Sequence, residues 1–160
     1  MTALDLPLAR LPDREVAAAV LVGPDGRYLM QLRDDKPSIH MPAHWALFGG
    51  SLDPGETPAA AILREVEEEL GFRPPSATPL ANLALNTAPV ERLWAMHFFV
   101  VPFTDADLAA MVQTEGAGKG LFTAAELQAL PKVAPWDLMA VMLHANGAAL
   151  FPNLGTVRRG

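Results

Sequence analysis

The strongest constraint on this chain is a concentration of negative charge, since four of its 18 acidic residues fall within positions 65–69. The surrounding residues predict a helix over positions 58–70. Thr57 can cap its start, Pro58 suits its first position, and Gly71 suits a left-handed stop. One predicted helix therefore carries the densest charge in the chain.

The helical period places Glu65, Glu68 and Glu69 on one face, because they are spaced at i, i+3 and i+4. An adjacent face is apolar and is expected to pack on a sheet; its residues are Ala59, Ile62, Leu63, Val66 and Leu70. Like charges at this spacing repel each other. The carboxylates therefore either form a solvated face, partly compensated by Arg64, or bind a hard cation, with Mg²⁺ first and Mn²⁺ second.

The residues around this helix favour the second interpretation, in which the carboxylates bind a cation. The spacing of Gly50, Glu56, Arg64–Glu65, Glu68–Glu69 and Gly71–Phe72 resembles the Nudix box, and every specified position of that signature is filled. The resemblance implies an α/β chain with the Nudix fold, a mixed β-sheet sandwiched between helices (α/β/α). It also implies a metal-dependent hydrolase that cleaves a diphosphate bond in a nucleoside diphosphate linked to another moiety.

Within that resemblance, Glu65, Glu68 and Glu69 are the expected metal ligands, with the carbonyl of Gly50 completing the coordination. Arg64 and Glu56 are expected to form an ion pair that orients the carboxylates. Arg64 is also expected to be one of the catalytic residues.

The general base is expected to be Glu65. In other family members the base is an acidic residue on a later loop, and Glu115 is the best candidate of that kind here. An exposed loop acid with no role is an equally good interpretation of Glu115.

The substrate is less constrained. Arg33, Lys36 and Arg92 are candidate phosphate contacts. Trp45 and Phe48 flank the entry to the box and could stack on a base, although core packing is the more common use of such residues. The four histidines, His40, His44, His97 and His144, lack metal-ligand spacing and are interpreted as structural or surface residues. A nucleoside diphosphate sugar, an ADP-ribose-like compound and a (deoxy)nucleoside triphosphate all remain open as substrates.

The main alternative to an enzyme is a Nudix-like module that senses or binds nucleotides without hydrolysing them. Such modules usually lose box glutamates, whereas all are present here. The isopentenyl diphosphate isomerase branch of the same fold relies on a cysteine, and this chain has none. Catalysis is therefore the preferred interpretation.

Composition adds broader limits. The 160 residues suggest one domain over residues 14–147, with an N-terminal arm at 1–13 and a C-terminal tail at 148–160. The net charge of −6 argues against nucleic acid as a partner. No apolar run approaches the ~20 residues of a membrane span, and no signal core precedes the domain, so a cytoplasmic location is expected. Homodimers are common in the family, so a homodimer is an open expectation.

Elsewhere, a β-hairpin is predicted from runs at 15–22 and 27–33, followed by a loop at 34–44 and a short apolar run at 45–48. Further strands are predicted at 79–87 and 90–101. Residues 108–114 fit either a helix or a strand. Two later helices are predicted, one from the capping box at Thr123 to about residue 130 and one over 135–146.

Overall fold

One mixed sheet runs through the part of the chain that the computed structural model describes, residues 11–87 and 92–150. Its seven strands within these ranges are β1 (Arg14–Val22), β2 (Tyr28–Leu32), β3 (Trp45–Ala46), β4 (Phe48–Ser51), β5 (Thr78–Thr87), β6 (Arg92–Pro102) and β7 (Gly118–Phe122). The helices in the same ranges are α1 (Pro58–Leu70), α2 (Asp105–Ala110), α3 (Ala124–Ala129) and α4 (Pro135–Leu150).

The strand order along the main path of the sheet is β3-β2-β1-β6-β5, with β4 paired to β1 and β7 paired to β2. Strands β1 and β6 are parallel, and the other pairs are antiparallel. The predicted mixed sheet is confirmed, and β1 at its centre connects the parallel and antiparallel parts.

Helices cover both faces of this sheet, as the alternation of β1 demonstrates. Ala17, Ala19 and Leu21 belong to the apolar cluster that contains Ile62 and Val66 of α1. Ala18 and Val20 point the other way, into the cluster that α3 and α4 complete with Leu127, Ala140 and Val141. The predicted α/β/α arrangement is therefore confirmed.

Helix α1 has the predicted bounds. The Thr57 side chain accepts a hydrogen bond from the Ala60 amide, and Gly71 adopts a left-handed conformation with φ of 62°. The buried face of α1 is rotated slightly about the helix axis relative to the predicted apolar face. Its buried residues include Ala61, whereas Ala59 is exposed and Leu63 only partly buried.

The short apolar run at 45–48 proves to be two strands rather than one. Trp45–Ala46 pairs with β2, and Phe48–Ser51 pairs with β1. Between them, the Leu47 amide donates to the Asp137 carboxylate at 3.0 Å, and the Leu47 carbonyl accepts from the Gln31 side chain at 3.0 Å. Side chains thus replace the strand partners where the chain changes neighbours.

Other differences from the predictions are local. Strand β7 was not predicted, because Gly118–Phe122 contains two glycines and draws its strand geometry from pairing with β2. The ambiguous segment at 108–114 is divided: α2 ends at Ala110, and its capping box from Thr104 to Asp107 is the signal that the prediction missed. Helix α4 continues to Leu150, past both its predicted end and the predicted domain boundary at 147.

The hairpin of β1 and β2 and the capping box of α3 at Thr123 are as predicted. The predicted strand at 90–101 begins at Arg92 in the described residues, and positions 88–91 lie outside them. Most of the predicted arm and tail, residues 1–10 and 151–160, also lies outside the described residues. Within the described ranges, none of the helices has the length and apolar character needed to cross a membrane.

Candidate active site

The three glutamates predicted to share a face of α1 have different surroundings. Glu69 is buried with 6% of its surface exposed, although it is charged in water. The Glu65 side chain is 15% exposed, and the Glu68 side chain is 59% exposed. Two of the three carboxylates therefore lie in a partly desolvated environment, and Glu68 lies at its edge.

Arg64 links the carboxylates of this helix to the preceding loop. Its Nε and one terminal nitrogen donate to the two oxygens of Glu56 at 3.0 and 2.9 Å. Its other terminal nitrogen donates to Glu65 at 2.8 Å and to Glu68 at 3.0 Å. The predicted Arg64–Glu56 ion pair is confirmed, and it holds the pKa of Glu56 below its ordinary value.

Glu69 is anchored to the strand that precedes the helix. Its Oε2 accepts a hydrogen bond from the Gly49 amide at 2.8 Å. Burial, which outweighs that hydrogen bond, together with the negative charges of Glu65 and Glu115, raises the pKa of Glu69 to about 8. The pocket around Glu69 thus favours a neutral carboxyl group unless a cation enters.

Glu115 reaches the same region because its loop is attached to the end of α1. The Thr114 amide donates to the Glu69 carbonyl and the Thr114 hydroxyl to the Glu68 carbonyl, both at 2.9 Å. The Val112 amide donates to the Leu70 carbonyl at 2.9 Å. These bonds use carbonyls that a helix end leaves without partners, and they bring an exposed loop acid beside the box.

A cleft of about 650 Å³ is lined by several of these groups, but the predicted ligand Glu68 and its partner Arg64 do not line it. The predicted site residues that line it are Gly50, Glu65, Glu69, Glu115, Arg33 and Lys36, and Arg14 and Gln31, which were not predicted, line it too. One cleft therefore combines carboxylates, which suit a metal ion, with cationic side chains, which suit phosphate.

Three predicted substrate contacts do not line this cleft. Phe48 is fully buried in the cluster beneath α1, so its assignment to substrate binding is wrong. Trp45 packs edge-to-face on Phe122 at 4.7 Å, in the core-packing role that was the alternative. Arg92, at the start of β6, lines neither this cleft nor the cavity described next.

A second cavity, of about 110 Å³, opens beside the cleft and was not predicted. Its lining includes Trp94, Trp136, His40 and Asp137, and it shares Arg14, Arg33, Gly49 and Gly50 with the cleft. The Arg14 guanidinium lies 5.0 Å from the centre of the Trp94 ring. In the described residues, Trp94 Nε1 is a buried donor without a hydrogen-bond partner.

Asp137 lines this aromatic cavity from the first turn of α4. It is 5% exposed, and burial raises its pKa to about 7 despite the hydrogen bond from the Leu47 amide. A tryptophan followed by an acid at a helix start, Trp136–Asp137, is the only sequence signal that marked the cavity, since its other members are distant in the chain.

Whether a metal ion fits this site depends on the donor atoms that the site offers. Among the described residues, no three His, Asp or Glu side chains converge closely enough to hold an ion. The acidic side chains of Glu65, Glu69 and Glu115 nevertheless supply oxygen donors to the cleft. Burial is the main cause of the raised pKa of Glu69, and the negative charges of Glu65 and Glu115, which a cation would neutralise, add to it. The chemistry of the site therefore fits a hard divalent cation. In this structure the carboxylates of Glu65 and Glu68 form ion pairs with Arg64.

The chain resembles known proteins in both sequence and structure. A NUDIX domain model matches residues 12–143. The nucleoside triphosphatase NudI of Escherichia coli O1:K1 / APEC is 44% identical over 52 residues, which is 32% of this chain and 36% of that protein. The alignment thus spans about a third of the length of the curated relatives that the chain matches.

Solved structures extend the likeness to most of the chain. The MutT protein from Methanosarcina mazei Go1 superposes with a TM-score of 0.72 at 16% identity, covering 88% of this chain and 97% of that one. The E. coli ORF135 protein has a TM-score of 0.69 at 25% identity, covering 89% of this chain and 96% of that one. The architecture is therefore shared over nearly the full domain, although few residues are identical.

Proposed function

This chain belongs to the Nudix family, and from that premise we propose that it is a divalent-metal-dependent hydrolase of a diphosphate bond in a nucleotide. The observation that supports this most directly is that one cleft is lined both by acidic and by cationic side chains, namely Glu65, Glu69, Glu115, Arg14, Arg33 and Lys36. A diphosphate is polyanionic, so its hydrolysis requires charge neutralisation on the phosphate oxygens and an aligned water. Both requirements can be met within this one cleft.

Glu65, Glu68 and Glu69, with the backbone of Gly50, are the residues that would hold Mg²⁺ or Mn²⁺. When bound, the metal would neutralise phosphate charge and lower the pKa of a coordinated water. Arg64 and Glu56 would keep Glu65 and Glu68 oriented through the hydrogen bonds described above. The cationic side chains of Arg14, Arg33 and Lys36 would bind the phosphate oxygens.

Proton removal from the attacking water is assigned to Glu65, with Glu115 as the alternative. Burial raises the pKa of Glu65, which moves this carboxyl towards the range in which a general base works best. Glu115 lines the same cleft from the loop between α2 and β7. Glu115→Gln separates the two, because Glu65 is also a proposed metal ligand and its replacement lowers kcat in either case. A large fall in kcat for Glu115→Gln identifies Glu115 as the base, and a nearly unchanged kcat leaves that role with Glu65.

The aromatic cavity supports a nucleotide as the substrate class. Trp94 and Trp136 offer ring faces for stacking a base. The Trp94 Nε1 donor without a partner and the buried Asp137 carboxyl offer polar groups for its edge. Because the cavity and the cleft share Arg14 and Gly50, a base in one would place its phosphates in the other. The partial likeness to a nucleoside triphosphatase favours triphosphates as the first substrates to test.

The test is phosphate release, with a coupled phosphatase, from nucleoside triphosphates, nucleoside diphosphate sugars and ADP-ribose-like compounds. We expect turnover of one class that requires Mg²⁺ or Mn²⁺ and stops with a chelator. If no compound is hydrolysed while nucleotides still bind, the non-catalytic binding module becomes the better description.

A further inference from the structure

The loop between β2 and β3, residues 34–44, is closed at its base and strained in its second half. The Arg33 amide donates to the His44 carbonyl at 2.9 Å, and the Ala43 amide donates to the Asp34 carbonyl at 3.1 Å. Met41 and Ala43 have φ values of 53° and 56°. Residues with a Cβ seldom adopt this left-handed conformation, and such strain often marks a functional segment.

This loop, the gating loop, places one imidazole on the wall of the aromatic cavity. The His40 ring stacks on Trp136, with ring centres 5.3 Å apart and planes 16° apart. It also contacts Trp94, with centres 5.4 Å apart and planes inclined by 53°. A flat ring thus already occupies the stacking position that a planar base would use.

His40 can leave that position without opening the core. The residue is exposed overall, although its ring covers the two tryptophans. The His40 carbonyl accepts a hydrogen bond from Arg33 Nε at 2.9 Å. Because Arg33 lines both the cleft and the cavity, a phosphate that binds its guanidinium would compete with this bond.

We propose that the gating loop is an autoinhibitory gate, in which His40 occupies the base-stacking position on Trp136 and Arg33 holds the loop closed. A nucleotide opens it by displacing the imidazole with its base and by drawing Arg33 towards its phosphates. This inference rests on the proposed function to the extent that the aromatic cavity receives a base. Beyond the proposed function, the gate implies that only the fraction of molecules with an open gating loop can bind a nucleotide.

The first test is equilibrium binding of AMP and GMP by calorimetry, with EDTA present so that no hydrolysis occurs. A closed gate lowers the apparent affinity by the fraction of open molecules. We therefore expect His40→Ala to bind on the order of 3- to 10-fold more tightly than the wild type. His44→Ala is the control. It removes an imidazole from the same loop, but the His44 ring contacts the Pro42 carbonyl and not a tryptophan, so the affinity for AMP and GMP should stay within about twofold of the wild type. Equal or weaker binding by His40→Ala overturns the gate.

A second test uses the wild-type chain and needs no substitution. Opening the gate breaks the bond from the Ala43 amide to Asp34, so hydrogen exchange in residues 34–44 should accelerate when AMP or GMP binds. Unchanged or slower exchange overturns the gate, and so does the absence of binding to both the wild type and His40→Ala. Phosphate release by the wild type is measured separately, so a failed gate with intact metal-dependent turnover leaves the proposed function standing.

Discussion

The carboxylate of Glu65 occupies the space that a side chain on Gly50 would need. A Cβ built on Gly50 would lie 2.4 Å from Glu65 Oε1, far inside van der Waals contact. Gly50→Ala should therefore displace Glu65 while the β1–β4 pairing remains. Because small displacements of catalytic groups are costly, we expect hydrolysis to fall on the order of 100-fold, with thermal stability nearly unchanged.

The neighbouring glycine provides the matched control. Gly49 has φ of 140°, and a Cβ there would lie 2.1 Å from the Ala17 carbonyl oxygen, which is part of the central strand. Gly49→Ala should destabilise the fold itself, seen as a lower midpoint in urea. Equal losses of stability in both variants would contradict the assignment of Gly50 to the site.

Glu69→Gln replaces a buried ionisable group by a neutral one and keeps an acceptor for the Gly49 amide. We expect hydrolysis to fall by about 100-fold or more, since a neutral amide is a poor metal ligand. Stability at neutral pH should be equal or higher, because Glu69 must take up a proton on folding and glutamine need not. Glu67→Gln, on the same helix but paired with Arg73, should retain activity. Wild-type turnover by a folded Glu69→Gln variant would refute the metal assignment.

Glu56→Gln tests whether the ion pair with Arg64 orients the ligands. Glutamine can still accept the hydrogen bond that the Asp53 amide donates at 3.0 Å, so the loop should keep its shape. The weaker hold on Arg64 should reduce Mn²⁺ affinity, measured by calorimetry, by about 10- to 100-fold with the fold intact. Unaltered metal affinity would leave Glu56 with a purely structural role.

Asp137 should make stability depend on pH. Its ordinary pKa is 3.8, and burial raises the folded value to about 7. Between these pH values the folded state binds the proton and the unfolded state does not, so the free energy of unfolding falls as pH rises. Asn does not titrate in this range, so the Asp137→Asn variant should not show this fall in the free energy of unfolding. Urea unfolding at pH 5 and pH 8 should therefore show the variant gaining roughly 2 kcal/mol relative to the wild type. A constant difference between the two proteins would contradict the raised pKa.

Local signals were enough to locate the helix that carries the site. Thr57 and Gly71 act on backbone groups within a few residues, and the bounds of α1 follow from them. Strand β7 escaped prediction for the opposite reason. Gly118–Phe122 has weak strand propensity of its own, and its partners on β2 lie about 90 residues earlier in the chain.

The same division applies to the active site. The box residues, the Arg64–Glu56 pair and the acidic character of the cleft could be predicted, because they lie within one loop and helix whose geometry is periodic. The aromatic cavity could not. It brings together His40, Trp94 and Trp136 from a loop, a strand and a helix start. Their proximity depends on how the strands pair and how α4 packs on the sheet, and those contacts form only between segments distant in the chain.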